Sequence, residues 1–232
     1  GVFIHLRQLD WEYGMVELRA AVSAGVGPDI APIGADFDFI YDGYLEPVDG
    51  HFTEEMQSKY HPKALEAVIY DGRFYGFPWF ITTGGLFVNR EAFDERGVSI
   101  PEDGQWSYDE FVSALQKLTF ENSRGKVENY GFNLFLSPGN YSAWGMLTMD
   151  GARIFDENGN LTLNCPEGIS ALGKMSDLLH KYRVVPQDYG TLAEKEVWGD
   201  FAEKKRIAVY PAGPWAIKIL KERLETGEGF EF

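Results

Sequence analysis

Tyr70-Asp71-Gly72-Arg73-Phe74-Tyr75-Gly76-Phe77-Pro78-Trp79 runs through Phe80 and Ile81 into Thr82-Thr83-Gly84-Gly85-Leu86-Phe87-Val88-Asn89-Arg90-Glu91-Ala92-Phe93. This stretch joins a tight turn, an aromatic cluster and an apolar strand that leads into a new helix. Asp71-Gly72 is a hairpin signal, because glycine accepts positive φ without steric cost. Phe74, Tyr75, Phe77, Trp79 and Phe80 follow closely. They read either as an aromatic core strand or as a wall that faces a ligand.

The β-α-β-α rhythm of the first part favours a parallel sheet flanked by helices. Residues 2–9 read as a strand, 11–24 as a helix closed by Gly25, 29–33 as a short apolar strand and 37–44 as a helix or turn. Pro62 sits in the first turn of a helix expected over 61–70. After Asn89 the pattern changes. A short helix over 91–96 stops at Gly97. Ser107-Tyr108-Asp109-Glu110 is a capping box, and Phe111, Leu115 and Leu118 mark the buried stripe of the helix it opens. Strands are expected over 130–136, 161–163 and 206–210, and helices over 140–149, 166–182, 193–204 and 215–225. The boundary falls near Val88, giving a first lobe over 1–88 and a second over 89–232.

The chain has 232 residues, enough for one large or two small domains. Its net charge of −15 argues against nucleic acid or an anionic membrane as partner. Cys165 is the only cysteine, so neither an internal disulfide nor a cysteine-built metal site can form. No apolar run approaches the roughly 20 residues of a membrane span. The opening reads as strand rather than signal peptide, as expected of a mature, trimmed or cytoplasmic chain. Glycine-rich nucleotide loops, the Gly-x-Ser-x-Gly elbow and the His-Glu-x-x-His pattern are absent. Acidic residues number 36, so count alone leaves room for the paired carboxylates of a glycoside hydrolase.

The opening stretch resembles the "dGk-YG-P…glfYNkd-F" signature of extracellular solute-binding proteins of sugar ABC transporters, the maltose-binding-protein-like family. Ala24-Gly25-Val26-Gly27-Pro28-Asp29-Ile30 resembles its "aaGtgPDv" turn. The run from Gly199-Asp200-Phe201 to Gly213-Pro214-Trp215-Ala216 resembles its "F-GkaAM…GPWa" segment. The matches stand in the family's order and cover most of the chain.

The resemblance implies an α/β, two-lobed, periplasmic-binding-protein-like fold of class II, incomplete here, since the family's first strand and helix and its C-terminal part have no counterpart. It implies a mono- or oligosaccharide bound in a cleft between lobes, delivery to ABC permease subunits, no cofactor, no catalysis, and a periplasmic or extracellular location with a lipoprotein anchor as one form. The alternatives are a carbohydrate-active hydrolase, or the same fold binding a polyamine, amino-sugar or anion.

A sugar site needs flat rings for C–H patches and polar side chains for hydroxyls, which cost about 1–3 kcal/mol each if left unpaired. Trp215 matches the family's Gly-Pro-Trp tryptophan and is the leading candidate for stacking. Trp144, Tyr141 and Trp79 are further aromatic candidates. Thr83 could offer a hydroxyl, or mark a close approach of backbones. Asp36 and Asp38 follow a predicted strand, where open α/β sheets place ligands, and read equally as helix caps.

Overall fold

The computed structural model describes residues 1–10, 13–33, 38–136, 143–156 and 160–232. They divide into two compact units, Gly1–Ile81 and Thr82–Phe232. Gly85–Val88, assigned from sequence to the first lobe, is hydrogen-bonded into the sheet of the second unit.

The first unit is built from short pieces. Helix α1 (Gly14–Ser23) ends at Gly25, whose φ of 72° carries the chain out of the helix. Helices α2 (Asp38–Tyr41), α3 (Glu54–Gln57) and α4 (Pro62–Glu66) follow. Pro62 opens α4, with the His61 ring accepting from the Lys63 amide at 3.2 Å. That helix is shorter than expected. Residues 69–70 belong instead to strand β1 (Ile69–Tyr70), paired antiparallel with β2 (Arg73–Phe74). Asp71 and Gly72 have φ of 47° and 72°, the left-handed pair that a two-residue hairpin needs.

Phe52 is the hub of this unit. It is 1% exposed and meets Tyr60, Phe74 and Phe77 edge-on, at 5.4, 4.9 and 5.0 Å between ring centres. Asp49 locks the hairpin from outside: its carboxylate accepts from the Phe74 amide at 3.0 Å and from Arg73 Nε at 3.2 Å. The Phe74 amide first, and Arg73 with it, hold the Asp49 carboxyl below the usual carboxylate range.

The parallel sheet expected of the first part is not seen among its described residues. Residues 2–9 and 29–33 form no strand. Val2, Phe3, Leu6 and Ile30 all lie exposed. Apolar alternation makes a segment able to pair, but a strand exists only where a second strand supplies the other half of its hydrogen bonds, and no described residue does so here.

The second unit carries a four-stranded sheet ordered β3-β6-β5-β4. Strand β3 (Gly85–Val88) leads into α5 (Arg90–Glu95), and α6 (Tyr108–Leu118) into β4 (Phe120–Glu121) and β5 (Val127–Phe132). After α7 (Trp144–Leu147), α8 (Pro166–His180) and α9 (Glu194–Ala202) comes the central strand β6 (Ile207–Ala212), then α10 (Trp215–Glu225). Strand β6 runs parallel to β5 and antiparallel to β3. The strand expected over 130–136 starts and ends earlier, and the one expected over 161–163 reduces to a single bridge between Phe155 and Leu161.

Strand β6 reads as a continuous apolar run because it is covered on both sides. Ala208 and Val209 join a core built on Phe111, Leu115, Phe132 and Leu178. Ile207, Tyr210 and Ala212 join a second core with Phe201, Leu220 and Phe230. The capping box is formed: Ser107 Oγ accepts from the Glu110 amide at 3.3 Å, and the Glu110 carboxylate accepts from the Ser107 amide at 2.9 Å. The helix it opens lies directly on β5. A Cβ at Gly131 would fall 2.6 Å from the Leu115 carbonyl oxygen, so this contact requires glycine. Cys165 is half-buried and caps α8, its Sγ accepting from the Gly168 amide at 3.4 Å. Among the described residues, no helix is long and apolar enough to cross a membrane.

Candidate functional site

Parallel strands β5 and β6 point their carboxyl ends the same way. Gly85, at the start of antiparallel β3, pairs with Ala212 at the end of β6, so the loop that carries Thr83 reaches the same edge. Loops beyond the carboxyl ends of strands are where open α/β sheets hold ligands.

Gly213-Pro214-Trp215 leaves β6 at this edge. Pro214, with φ of −60°, sets the entry into α10, so the Trp215 backbone is fixed by its neighbours. Trp215 is 38% exposed. Its ring packs on Trp198, 4.8 Å between centres at 57°. Trp198 in turn meets Tyr210 at 5.7 Å and Phe201 at 5.9 Å, and Phe201 stacks on Tyr210. A buried aromatic column thus rises from the core to a partly open indole.

Helix α9 precedes β6 by a short turn and packs back along it, with Val197 and Phe201 in the same core as Tyr210 and Ala212. Its amino end therefore lies toward the carboxyl end of β6, as the Trp198–Trp215 contact confirms. Trp198 is the residue that sequence reading missed. Its place one turn after the start of α9 was visible, but its neighbour on another element was not.

Trp144 opens α7, the first helix after β5 among the described residues, and is 47% exposed. Tyr141 and Asp36 lie outside the described residues. Thr83 is exposed, and its hydroxyl makes only a 3.4 Å contact to the Gly84 carbonyl. A Cβ on Gly84 would sit 3.8 Å from the Ala212 carbonyl oxygen, an ordinary distance, so no forced approach of backbones explains that glycine.

In the first unit, Trp79 is 79% exposed with its ring 5.6 Å from Phe80. The aromatic cluster is thereby split. Phe74 and Tyr75 pack into the unit, whereas Trp79 and Phe80 face outward. Asp38 is the first residue of α2, with its carboxylate 3.6 Å from Arg19. Asn89 is buried and caps α5, accepting from the Ala92 amide at 3.2 Å.

A hollow of about 560 Å³ lies elsewhere, lined by Asn89, Glu95, Phe120, Lys126 and Arg206 among others. It faces the amino ends of β5 and β6, away from Trp198 and Trp215. The described residues contain no cluster of His, Cys, Asp and Glu able to hold a metal ion.

The edge that carries Trp215 offers a fixed indole face, with hydroxyl and backbone groups alongside. Such a surface can stack on the C–H face of a ring and bond its fringe of hydroxyls. The profile of a family described as bacterial extracellular solute-binding protein matches residues 1–231. The chain belongs to that family. This solute-binding protein is 26% identical over 207 residues to a maltotriose-binding protein of Pyrococcus abyssi, a match that covers 88% of the chain and 42% of the relative. It is 27% identical over 204 residues to an arabinooligosaccharide-binding protein of Halalkalibacterium halodurans, covering 85% of the chain and 43% of the relative. Among solved structures, an ABC transporter solute-binding protein of Thermotoga lettingae bound with α-D-tagatose superimposes with a TM-score of 0.73 at 24% identity, covering 90% of the chain and 53% of the other. The fold is therefore that of the two-lobed, periplasmic-binding-protein-like proteins, and the chain spans less than half the length of the curated relatives it matches.

Proposed function

We propose that this protein captures a carbohydrate without chemical change and hands it to the permease of an ABC importer, working outside the cytoplasmic membrane. Trp215, Trp144 and Trp79 supply stacking faces. In the second unit Thr83 and the residue at position 141 supply polar and aromatic contacts, and in the first unit Asp38 and the residue at position 36 supply polar ones. The observation that carries the reading is the half-open Trp215 indole at the carboxyl edge of β6, held from beneath by Trp198. Relatives named for maltotriose and arabinooligosaccharides support the solute class.

Calorimetry with maltotriose, arabinotriose and D-tagatose tests it. Saturable binding to one of them is expected, and Trp215→Ala should weaken that binding by about 2 kcal/mol or more. Unchanged affinity in a folded Trp215→Ala variant removes the stacking role. Appearance of shortened oligosaccharides on incubation replaces the carrier reading with that of a hydrolase.

A further inference from the structure

We propose that Glu194 is a specificity-determining residue of this site, a charged acceptor for sugar hydroxyls beside the Trp198–Trp215 wall. The inference rests on the carbohydrate reading above and adds a polar partner to it. Glu194 is the first residue of α9, and Trp198 follows it by one helical turn, so the two side chains share a helix face. Trp198 is the ring that backs Trp215. The amino end of α9 lies at the same edge as the exposed indole, and the carboxylate comes with it.

The other acidic residue of this first turn is engaged in the fold itself. Glu196 accepts from the Ala193 amide at 3.1 Å and closes the helix start. Glu194 has no hydrogen bond or ion pair among the described residues. Its side chain is exposed by overall area, yet neighbouring atoms crowd the carboxyl enough that burial pushes its pKa up. A carboxylate that is partly desolvated and has no partner is ready to accept hydroxyl donors, and such charge-assisted bonds are stronger than neutral ones. The ligand this favours is a neutral polyol with hydroxyls projecting from the rim of its stacked face.

The test is calorimetry with maltotriose, arabinotriose and D-tagatose on the wild type, Glu194→Gln, Trp215→Ala and Glu225→Gln, with thermal midpoints measured alongside. Glu225 lies exposed in the last turn of α10 and controls for the loss of one negative charge. Glu194→Gln is expected to weaken the sugar that binds by about tenfold, with its midpoint unchanged, while Glu225→Gln binds as the wild type does. If Glu194→Gln keeps full affinity while Trp215→Ala loses it, the Glu194 role falls and the stacking site stands. A lowered midpoint with full affinity makes Glu194 a helix-end charge only, and likewise overturns the inference. A wild type that binds none of the three sugars overturns both readings.

Discussion

The two units stand in contrast. In the first, Leu18, Phe39 and Phe52 are the buried apolar side chains among the described residues, and its regular elements are short helices and one hairpin. In the second, β6 is covered on both sides, and two aromatic-rich cores run from Phe93 to Phe230. The first unit is thus held by small devices: a turn, a proline at a helix start, an aspartate that fastens a strand and one ring cluster around Phe52. The second is held by two extended apolar cores. Small devices fix conformation but bury little surface, so the second unit should hold most of the stability.

The largest expected effect separates the two directly. Phe201→Ala should cost about 4 kcal/mol, because it empties a fully buried position on which Tyr210, Trp198 and Phe230 all pack. Phe52→Ala should abolish protection of the hairpin amides while leaving those of β5 and β6 slow. Hydrogen exchange followed by mass spectrometry reads both, and equal loss in the two units would break the contrast.

Gly131→Ala comes next, at about 2 kcal/mol, since its Cβ would collide with the Leu115 backbone of α6. Urea unfolding measures it. A neutral result would mean that α6 can slide on β5 and that the second unit is looser than its packing implies.

The smallest effect is one of pH. Asp49 in the first unit and Asp150 in the second both have carboxyls held below the usual range, Asp49 chiefly by the Phe74 amide and Asp150 chiefly by its hydrogen bond to Lys174. For a depressed carboxyl, the stabilisation is present above the unfolded pKa, about 3.9, and is lost as pH falls through the lower folded value. Wild type and Asp150→Asn should therefore differ in thermal midpoint at pH 7 and converge in strong acid. A difference that persists there assigns Asp150 a role other than its charge.

The contrast also explains which features can be read from sequence. The Asp71-Gly72 turn, Pro62 at the start of α4, the Ser107–Glu110 box and the start of α10 at Trp215 each depend on a few adjacent residues, and each is found in place. Residues 2–9 and 29–33 read as strands because their side chains suit one, but pairing is decided elsewhere in the chain. The same limit applies at the candidate site. Trp215 is legible through its Gly-Pro-Trp context. Glu194 and Trp198 become meaningful only once α9 folds back along β6 and sets them beside it.

The aromatic column has an optical consequence. Indoles 4.8 Å apart exchange excitation faster than they emit, so the fluorescence of Trp198 and Trp215 should respond as a pair. Any solute that touches the outer ring would perturb the inner one as well, and the protein carries its own gauge of occupancy without a dye.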